Sequence, residues 1–337
     1  MNAPWKITQA YHTQKLENYS FLVTGGAGFI GSNIVQYLLD FGAKKVRVLD
    51  DLSNGKIENI TPFKSHPAFE FIEGTIADYG TCEKACDGID YLSHQAALGS
   101  VPRSIKNPLA TQLANETGFL NMITAAKNSQ IKQMVFASSS SVYGDDPHLP
   151  KKEEQVGNPL SPYAVGKKSN EIYADVFKKV YDFNSIGLRY FNIFGPNQSP
   201  DGPYAAVIPL YMDALLKNQS AKIFGDGTQS RDFTFVENAV QANIKALFCE
   251  EDAAFGTVFN IACGDKTSVN ELYHIIKESA AATAEAEYCP PRTGDIKDSL
   301  ADISRAKKLL NYAPQIDIKE GLSITLEWFR NSSYFKV

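Results

Sequence analysis

Seven short apolar runs recur along the chain with helix-like segments between them: FLVT at 21–24, VRVLD at 46–50, FEFIEG at 69–74, DYLSHQAA at 90–97, MVFASSS at 134–140, SIGLRYFN at 185–192 and TVFNIACG at 257–264. A strand with one wet face alternates apolar and polar residues, whereas these runs are apolar at both parities and need cover on both faces. Crossover helices give that cover, so the pattern predicts an α/β fold built on a doubly wound parallel sheet. Residues 193–233 read differently, being rich in Pro, Gly, Asn and Asp (GPNQSPDGPY, FGDGTQSRDF), and are expected to be loops around one helix at IPLYMDALLKN. The stretch from 265 onward mixes helix and loop. The expected organisation is an N-terminal arm at 1–19, a sheet domain at 20–192 to which 234–264 returns, and a smaller mixed α/β cap from 193–233 and 265–337 that faces the carboxyl ends of the strands.

Charge and cysteine usage narrow the function classes. A formal net charge of -5 gives no electrostatic reason to expect nucleic acid or an anionic membrane as partner, so an anionic ligand needs locally placed Arg or Lys. The five cysteines (82, 86, 249, 263 and 289) form no CxxC pair and have no accompanying His cluster, which argues against a disulfide framework and against a metal site. The polar start MNAPWKITQAYHTQKLENY carries no apolar signal core, and no window approaches a membrane-spanning run, so a cytoplasmic location is expected.

Directly after the first apolar run comes TGGAGFIGSNIVQYLLDFG, where Gly25, Gly28 and Gly31 form GxxGxxG leading into an amphipathic helix. Such glycines let the backbone turn tightly and approach a pyrophosphate, while the helix N-terminus presents N–H donors and a favourable dipole. The sheet is therefore read as Rossmann-like. The second strand ends in Asp50-Asp51, 19 residues after Gly31, where a carboxylate can accept hydrogen bonds from ribose hydroxyls and would repel a 2′-phosphate. That favours NAD over NADP.

Ser161-Pro162-Tyr163-Ala-Val-Gly-Lys167 starts a helix with Ser161 as N-cap and Pro162 at the first position. Tyr163 and Lys167 are four apart, so their heads can converge on one ligand. A lysine ammonium and a positive nicotinamide would stabilise the phenolate and make Tyr163 a base near neutral pH. The cluster Ser138 to Ser141 leaves the sheet at its carboxyl edge, where a hydroxyl can touch a reacting oxygen and relay its proton to Tyr163.

Together TGGAGFIG, SSSSVYGD, SPYAVGK, LRYFNIFGP, YAAVIP and SRDFTFVENAV resemble the extended short-chain dehydrogenase/reductase family. HQAALGSVPRSI and RTGDIKDSLADISRAKKLLNYAP resemble its UDP-N-acetylglucosamine/UDP-N-acetylgalactosamine 4-epimerase branch, in order from about residue 20 to 330. The resemblance implies a tightly held NAD, regenerated in each turnover: Tyr163 takes the 4-hydroxyl proton, carbon 4 gives up hydride, and the 4-keto sugar turns over before hydride returns. It maps the catalytic serine to Ser139 or Ser140. Along the cofactor it implies Gly25, Gly28, Phe29, Ile30 and Gly31, then Asp50, Asp51, Ser53, Asn54 and Gly55. Thr75, Ile76, Gln95, Ala96, Ala97, Asn115 and Tyr190 continue that set, with Tyr163 and Lys167. For a UDP-linked N-acetylhexosamine it implies Gly99, Ser100, Val101, Asn192, Ala206, Val207, Arg231, Arg292 and Ser299. The two arginines would neutralise the diphosphate, and a small residue at 299 leaves room for an N-acetyl group.

Two departures stand out. Thr75 replaces the aspartate that family members usually place near the adenine amino group, and Val142-Tyr143 replace the acidic pair of related 4,6-dehydratases. A rival within the family is a UDP-hexuronic acid 4-epimerase or decarboxylase, for which Arg103 or Lys297 would have to meet the extra carboxylate. A rival of another class is a non-catalytic NAD sensor. The stretches NPLATQLANETGFLNMITAAKNS and SPYAVGKKSNEIYADVFKKVYD read as long helices with apolar residues on more than one face. The resemblance implies that they pair with their copies in a homodimer.

Overall fold

The computed structural model describes residues 5–201, 205–291 and 297–332. Each of the seven apolar runs forms a strand: β1 Ser20–Thr24, β2 Lys45–Asp50, β3 Phe69–Glu73, β4 Tyr91–His94, β5 Gln133–Ser139, β6 Ser185–Tyr190 and β7 Thr257–Ile261. They pair in parallel in the order β7-β6-β5-β4-β1-β2-β3. The helices are α1 Phe29–Asp40, α2 Tyr79–Cys86, α3 Val101–Lys106, α4 Pro108–Gln112, α5 Gly118–Asn128, α6 Pro162–Tyr181, α7 Val207–Leu216, α8 Val236–Leu247, α9 Val269–Ala280, α10 Ser304–Leu310 and α11 Ile318–Asn331. Every residue of β1 is buried, its terminal Ser20 and Thr24 included, whereas β3 lies at one edge of the sheet and is only partly covered. On one face the core joins Ile34 and Leu38 of α1 to Val240 and Ile244 of α8. On the other it joins Cys82, Phe119 and Phe177 of α2, α5 and α6. Chain order along the sheet reverses between β1 and β4, and the crevice at that switch point opens beyond the carboxyl ends of the strands.

A third cluster, with Phe194, Met212, Phe235, Leu272, Leu326 and Phe329, unites α7, α9 and α11 beside the sheet. Segment 301–312, read from the sequence as part of the cap, packs elsewhere. Its Ala306, Leu310 and Tyr312 join the core of α1 and α8, because α10 covers β7 at the sheet's end. The arm also packs on its own chain: Tyr11 stacks on Tyr37 of α1 at 5.9 Å, and its hydroxyl donates to Glu237 of α8 at 2.5 Å. The stretch expected as one long helix before β5 is interrupted, since α4 runs through a wide π turn at Leu113–Thr117 into α5. On α6, Lys167, Asn170, Ala174 and Phe177 face inward, while Val165, Ile172, Val176 and Val180 stay exposed. Among the described residues no helix is long and apolar enough to cross a membrane, and no group of three or more His, Cys, Asp or Glu could hold a metal ion.

Beneath α6 lies a buried ion pair. Arg189 of β6 meets Glu171 in fork geometry, Nε to Oε1 and Nη2 to Oε2 both at 2.8 Å, with the two side chains 1% and 4% exposed. Ser138 also donates to Glu171 Oε1 at 2.6 Å, and Arg189 Nη1 reaches the Glu153 carbonyl at 3.1 Å. Glu171→Gln strands the guanidinium charge in the interior, and we expect a loss of about 3–5 kcal/mol in denaturant-induced unfolding. A loss below about 1 kcal/mol would mean that the pair does not anchor the helix.

Candidate active site

Local chain geometry builds the first half of the site. Gly25 is left-handed (φ +68°), and a Cβ there would lie 2.6 Å from the amide nitrogen of Ala96 in the loop after β4. A Cβ on Gly31 would overlap the Gly25 carbonyl, so α1 can sit this close to the β1 turn only without side chains. Gly28 caps α1, whose first turn carries no acidic side chain, leaving its N–H groups and dipole toward the cavity. Asp50 accepts from the amides of Ala27 and Leu52, both at 2.9 Å. That locks the glycine turn to the end of β2 and leaves the second lone pair of each oxygen for a ligand.

A cavity of about 710 Å³ opens here, running from the glycine turn past Asp50 and Asp51 to Ser139, Tyr163 and Lys167. Ser161 caps α6 by accepting from Ala164 N at 3.2 Å, which aims Tyr163 and Lys167 into the cavity from the first turns of the helix. Lys167 donates to the Ala137 carbonyl at 2.7 Å, and burial pushes its pKa down to about 8 despite the opposing charge of Glu171. Burial raises the pKa of Tyr163 as well, while a hydrogen bond with Ser139 pulls it the other way. The sequence expectation that the Lys167 ammonium activates the phenol is not met by the chain alone, since burial keeps the Tyr163 pKa above its ordinary value. Lys167 does not offset the desolvation, so the remaining positive charge has to come with the cofactor.

Most expected residues line this cavity, including Phe29, Ile30, Ser53, Asn54, Gly55, Ile76, Ala97, Gly99, Ser100, Tyr190 and Asn192. Thr75 lines it too, with its hydroxyl engaged by Ala77 N at 3.3 Å. Of the two candidate serines, Ser139 faces the cavity. Ser140 begins the tight helical turn Ser140–Tyr143 after β5, where the chain leaves the strand, and is not in the wall. Asn115 does not line it either: its amide brackets Leu98, accepting from Leu98 N at 2.7 Å and donating to Leu98 O at 3.0 Å, so it shapes the wall from behind. Val101 opens α3 outside the wall. Ala206 and Val207 begin α7, and Arg231 and Ser299 flank the bridge between Ser230 and Asp298, where Ser299 N donates to Ser230 O at 3.1 Å. These last four belong to the cap beside the cavity rather than to its wall. Arg292 lies outside the described residues. Leu98, Ala110, Leu113 and Ala114 also line the cavity and were not foreseen, since small and apolar residues in a helical stretch carry no chemical signature.

The profile of the NAD dependent epimerase/dehydratase family matches residues 21–262. The UDP-glucose 4-epimerase of Mycolicibacterium smegmatis is 38% identical over 93% of this chain and 99% of its own length. The chain belongs to the NAD dependent epimerase/dehydratase family. A solved UDP-N-acetylglucosamine 4-epimerase from Methanobrevibacter ruminantium M1, in complex with UDP-N-acetylmuramic acid, superposes with a TM-score of 0.88 at 41% identity, covering 93% of this chain and 98% of that one. A UDP-glucuronic acid 4-epimerase from Bacillus cereus, solved with UDP-glucuronic acid and NAD, gives 0.85 at 30% identity, with 93% and 99% covered.

NAD is the cofactor of this family, and the residues present fit it. The Gly25–Gly31 cradle has no room for side chains but admits a pyrophosphate, and Asp50 retains acceptor capacity for a ribose. Lys167 in turn yields a prediction with a defined sign. Its folded pKa lies below the ordinary lysine value, so the cost of the buried ammonium is fully present below about pH 8 and is relieved as the pH rises from there toward the ordinary value. In cofactor-free protein, the stability of the natural chain relative to Lys167→Met is expected to increase over that window in denaturant titrations. A pH-independent difference would contradict it. Turnover of the variant is expected to fall at least about 100-fold.

Proposed function

We propose that this protein is an NAD-dependent 4-epimerase that interconverts UDP-N-acetylglucosamine and UDP-N-acetylgalactosamine through a 4-keto sugar, with UDP-glucose and UDP-galactose as further substrates. The observation that carries the reading is that Ser139, Tyr163 and the buried Lys167 share one cavity wall at the carboxyl edge of the sheet, with Lys167 held there by the Ala137 carbonyl at 2.7 Å. In this reading Ser139 receives the proton of the sugar 4-hydroxyl and passes it to Tyr163. Lys167, held by the Ala137 carbonyl, keeps its charge against the phenolate. Bound NAD supplies the acceptor and donor of hydride for carbon 4.

Tyr143 turns inward and donates to Asn260 at 2.6 Å, so the loop after β5 offers no acid and base for eliminating water from the sugar. The N-acetyl preference rests on the small Ser299 and on the Methanobrevibacter neighbour. The uronic-acid alternative draws on the Bacillus cereus neighbour but wants a free cation at carbon 6. Arg103 instead donates to Asn54 at 3.0 Å, and neither it nor Lys297 is in the cavity wall. A sensor would not need Ser139, Tyr163 and Lys167 in this arrangement. The cap formed by α7, α9 and α11, with Arg231 and Ser299 at its edge, is assigned to the UDP-sugar. The exposed apolar residues Leu109, Ile172, Val176 and Val180 are assigned to a homodimer contact between copies of α4 and α6.

Purified protein incubated with UDP-N-acetylglucosamine and no added cofactor is expected to form UDP-N-acetylgalactosamine, followed by the sugar proton signals in NMR. No product even with added NAD would sink the reading. Tyr163→Phe is expected to lose at least about 100-fold in turnover while keeping NAD; undiminished turnover would remove Tyr163 as the base. Light scattering should return twice the 37.1 kDa chain mass, and a 37.1 kDa particle would remove the dimer.

A further inference from the structure

Gln95 and Tyr190 form adjoining parts of the cavity wall but stand on strands that are not neighbours, since Gln95 follows β4, Tyr190 ends β6, and β5 runs between them. What ties them together lies outside the cavity. Asn243 of α8, fully buried, donates from Nδ2 to the Tyr190 hydroxyl at 2.7 Å and to the Ala239 carbonyl at 2.8 Å. Its Oδ1 accepts from Gln95 Nε2 at 3.0 Å and from Ser93 Oγ at 3.1 Å. Gln95 Nε2 donates its second hydrogen to Ser93 Oγ at 3.0 Å, and Gln95 Oε1 accepts from the Tyr190 hydroxyl at 3.1 Å.

These bonds leave one consistent assignment of the hydrogens. Both amide groups use both donors, the Ser93 hydrogen goes to Asn243, and the Tyr190 hydrogen goes to Gln95. Turning either amide over would set donor against donor or acceptor against acceptor, so the ring fixes the orientation of Gln95 as well as the position of Tyr190. Burial raises the pKa of Tyr190, so its hydroxyl proton stays in place through the physiological range.

We propose that Asn243 is a positioning residue for the cofactor: by clamping Gln95 to Tyr190 across β5 it fixes the wall against which the nicotinamide half of NAD is seated. The direction follows from the cradle. The glycine turn belongs to β1 and the ribose-binding Asp50 to β2 on one side, so the remainder of a dinucleotide extends toward β4, β5 and β6, where Tyr163 and Lys167 stand. The inference rests on the placement of NAD proposed above, but its test reads cofactor binding and does not need the sugar.

NAD affinity is to be measured by calorimetry on the full chain freed of cofactor, for the natural protein, Asn243→Leu, Tyr190→Phe and the double variant. Asn243→Leu is expected to weaken NAD at least about 10-fold and Tyr190→Phe to weaken it measurably. The double variant should be no weaker than Asn243→Leu alone, because both act through one ring. Ser93→Ala, which removes a ring member outside the cavity wall, should weaken NAD as well and carries the test with Tyr190→Phe if Asn243→Leu does not fold. Natural affinity in Asn243→Leu, or in both Tyr190→Phe and Ser93→Ala, would overturn the proposal, as would losses that multiply in the double variant. Failure of the natural protein to epimerise any UDP-sugar would instead sink the proposed reaction and leave the NAD titration to decide this one.

Discussion

The close approach of three backbone segments at the centre of the sheet governs this structure: the turn after β1, the first turn of α1, and the loop after β4. Gly25 and Gly31 permit it, and Asp50 clamps it by holding the amides of Ala27 and Leu52. Because chain order reverses between β1 and β4, the same junction that packs α1 against the sheet also opens the crevice beside it. Packing and ligand site are therefore one constraint. A side chain at Gly31 would push α1 off the sheet and close the place where a pyrophosphate sits.

From that junction the chemistry is set by how the interior treats charge. Glu171 and Arg189 keep full charges in the core because each satisfies the other in fork geometry and Ser138 and Glu153 take up further hydrogen-bonding capacity. Lys167 and Tyr163 are held differently. Burial pushes the lysine pKa down and the phenol pKa up, so the two move apart, and neither group is ion-paired. That imbalance suits the role of base proposed for Tyr163 beside a cationic cofactor. The ion pair holds α6 in place, and the helix then holds the reactive pair in the cleft.

The seven strands, the glycine turn, the helix start at Ser161 and the pairing of Tyr163 with Lys167 were legible because each depends on neighbours within a few residues. The choice of Ser139 over Ser140 was not. It depends on where β5 ends and the tight turn at Ser140 begins, and a run of four serines carries no mark of that boundary. Asn115 illustrates the converse error: a polar residue near the site turned out to brace Leu98 rather than face the cavity. Segment 301–312 was assigned to the cap by chain order, yet its apolar residues Ala306 and Leu310 found a better place against the uncovered end of the sheet.

By itself the sequence determined the parallel sheet, the glycine turn before α1 and the placing of Tyr163 and Lys167 on one face of α6, because periodicity, glycine spacing and helix capping are local properties of the chain. Tertiary structure alone decided that Ser139 and not Ser140 lines the cavity, that the arm folds back on α1 and α8, and that Asn243 closes a polar ring under Gln95 and Tyr190. The arm and ring contacts join residues far apart in the chain, from 26 positions for Tyr11 with Tyr37 to 226 for Tyr11 with Glu237. They exist only once the crossovers have stacked α8 against the sheet, and no pattern within either segment encodes the partner.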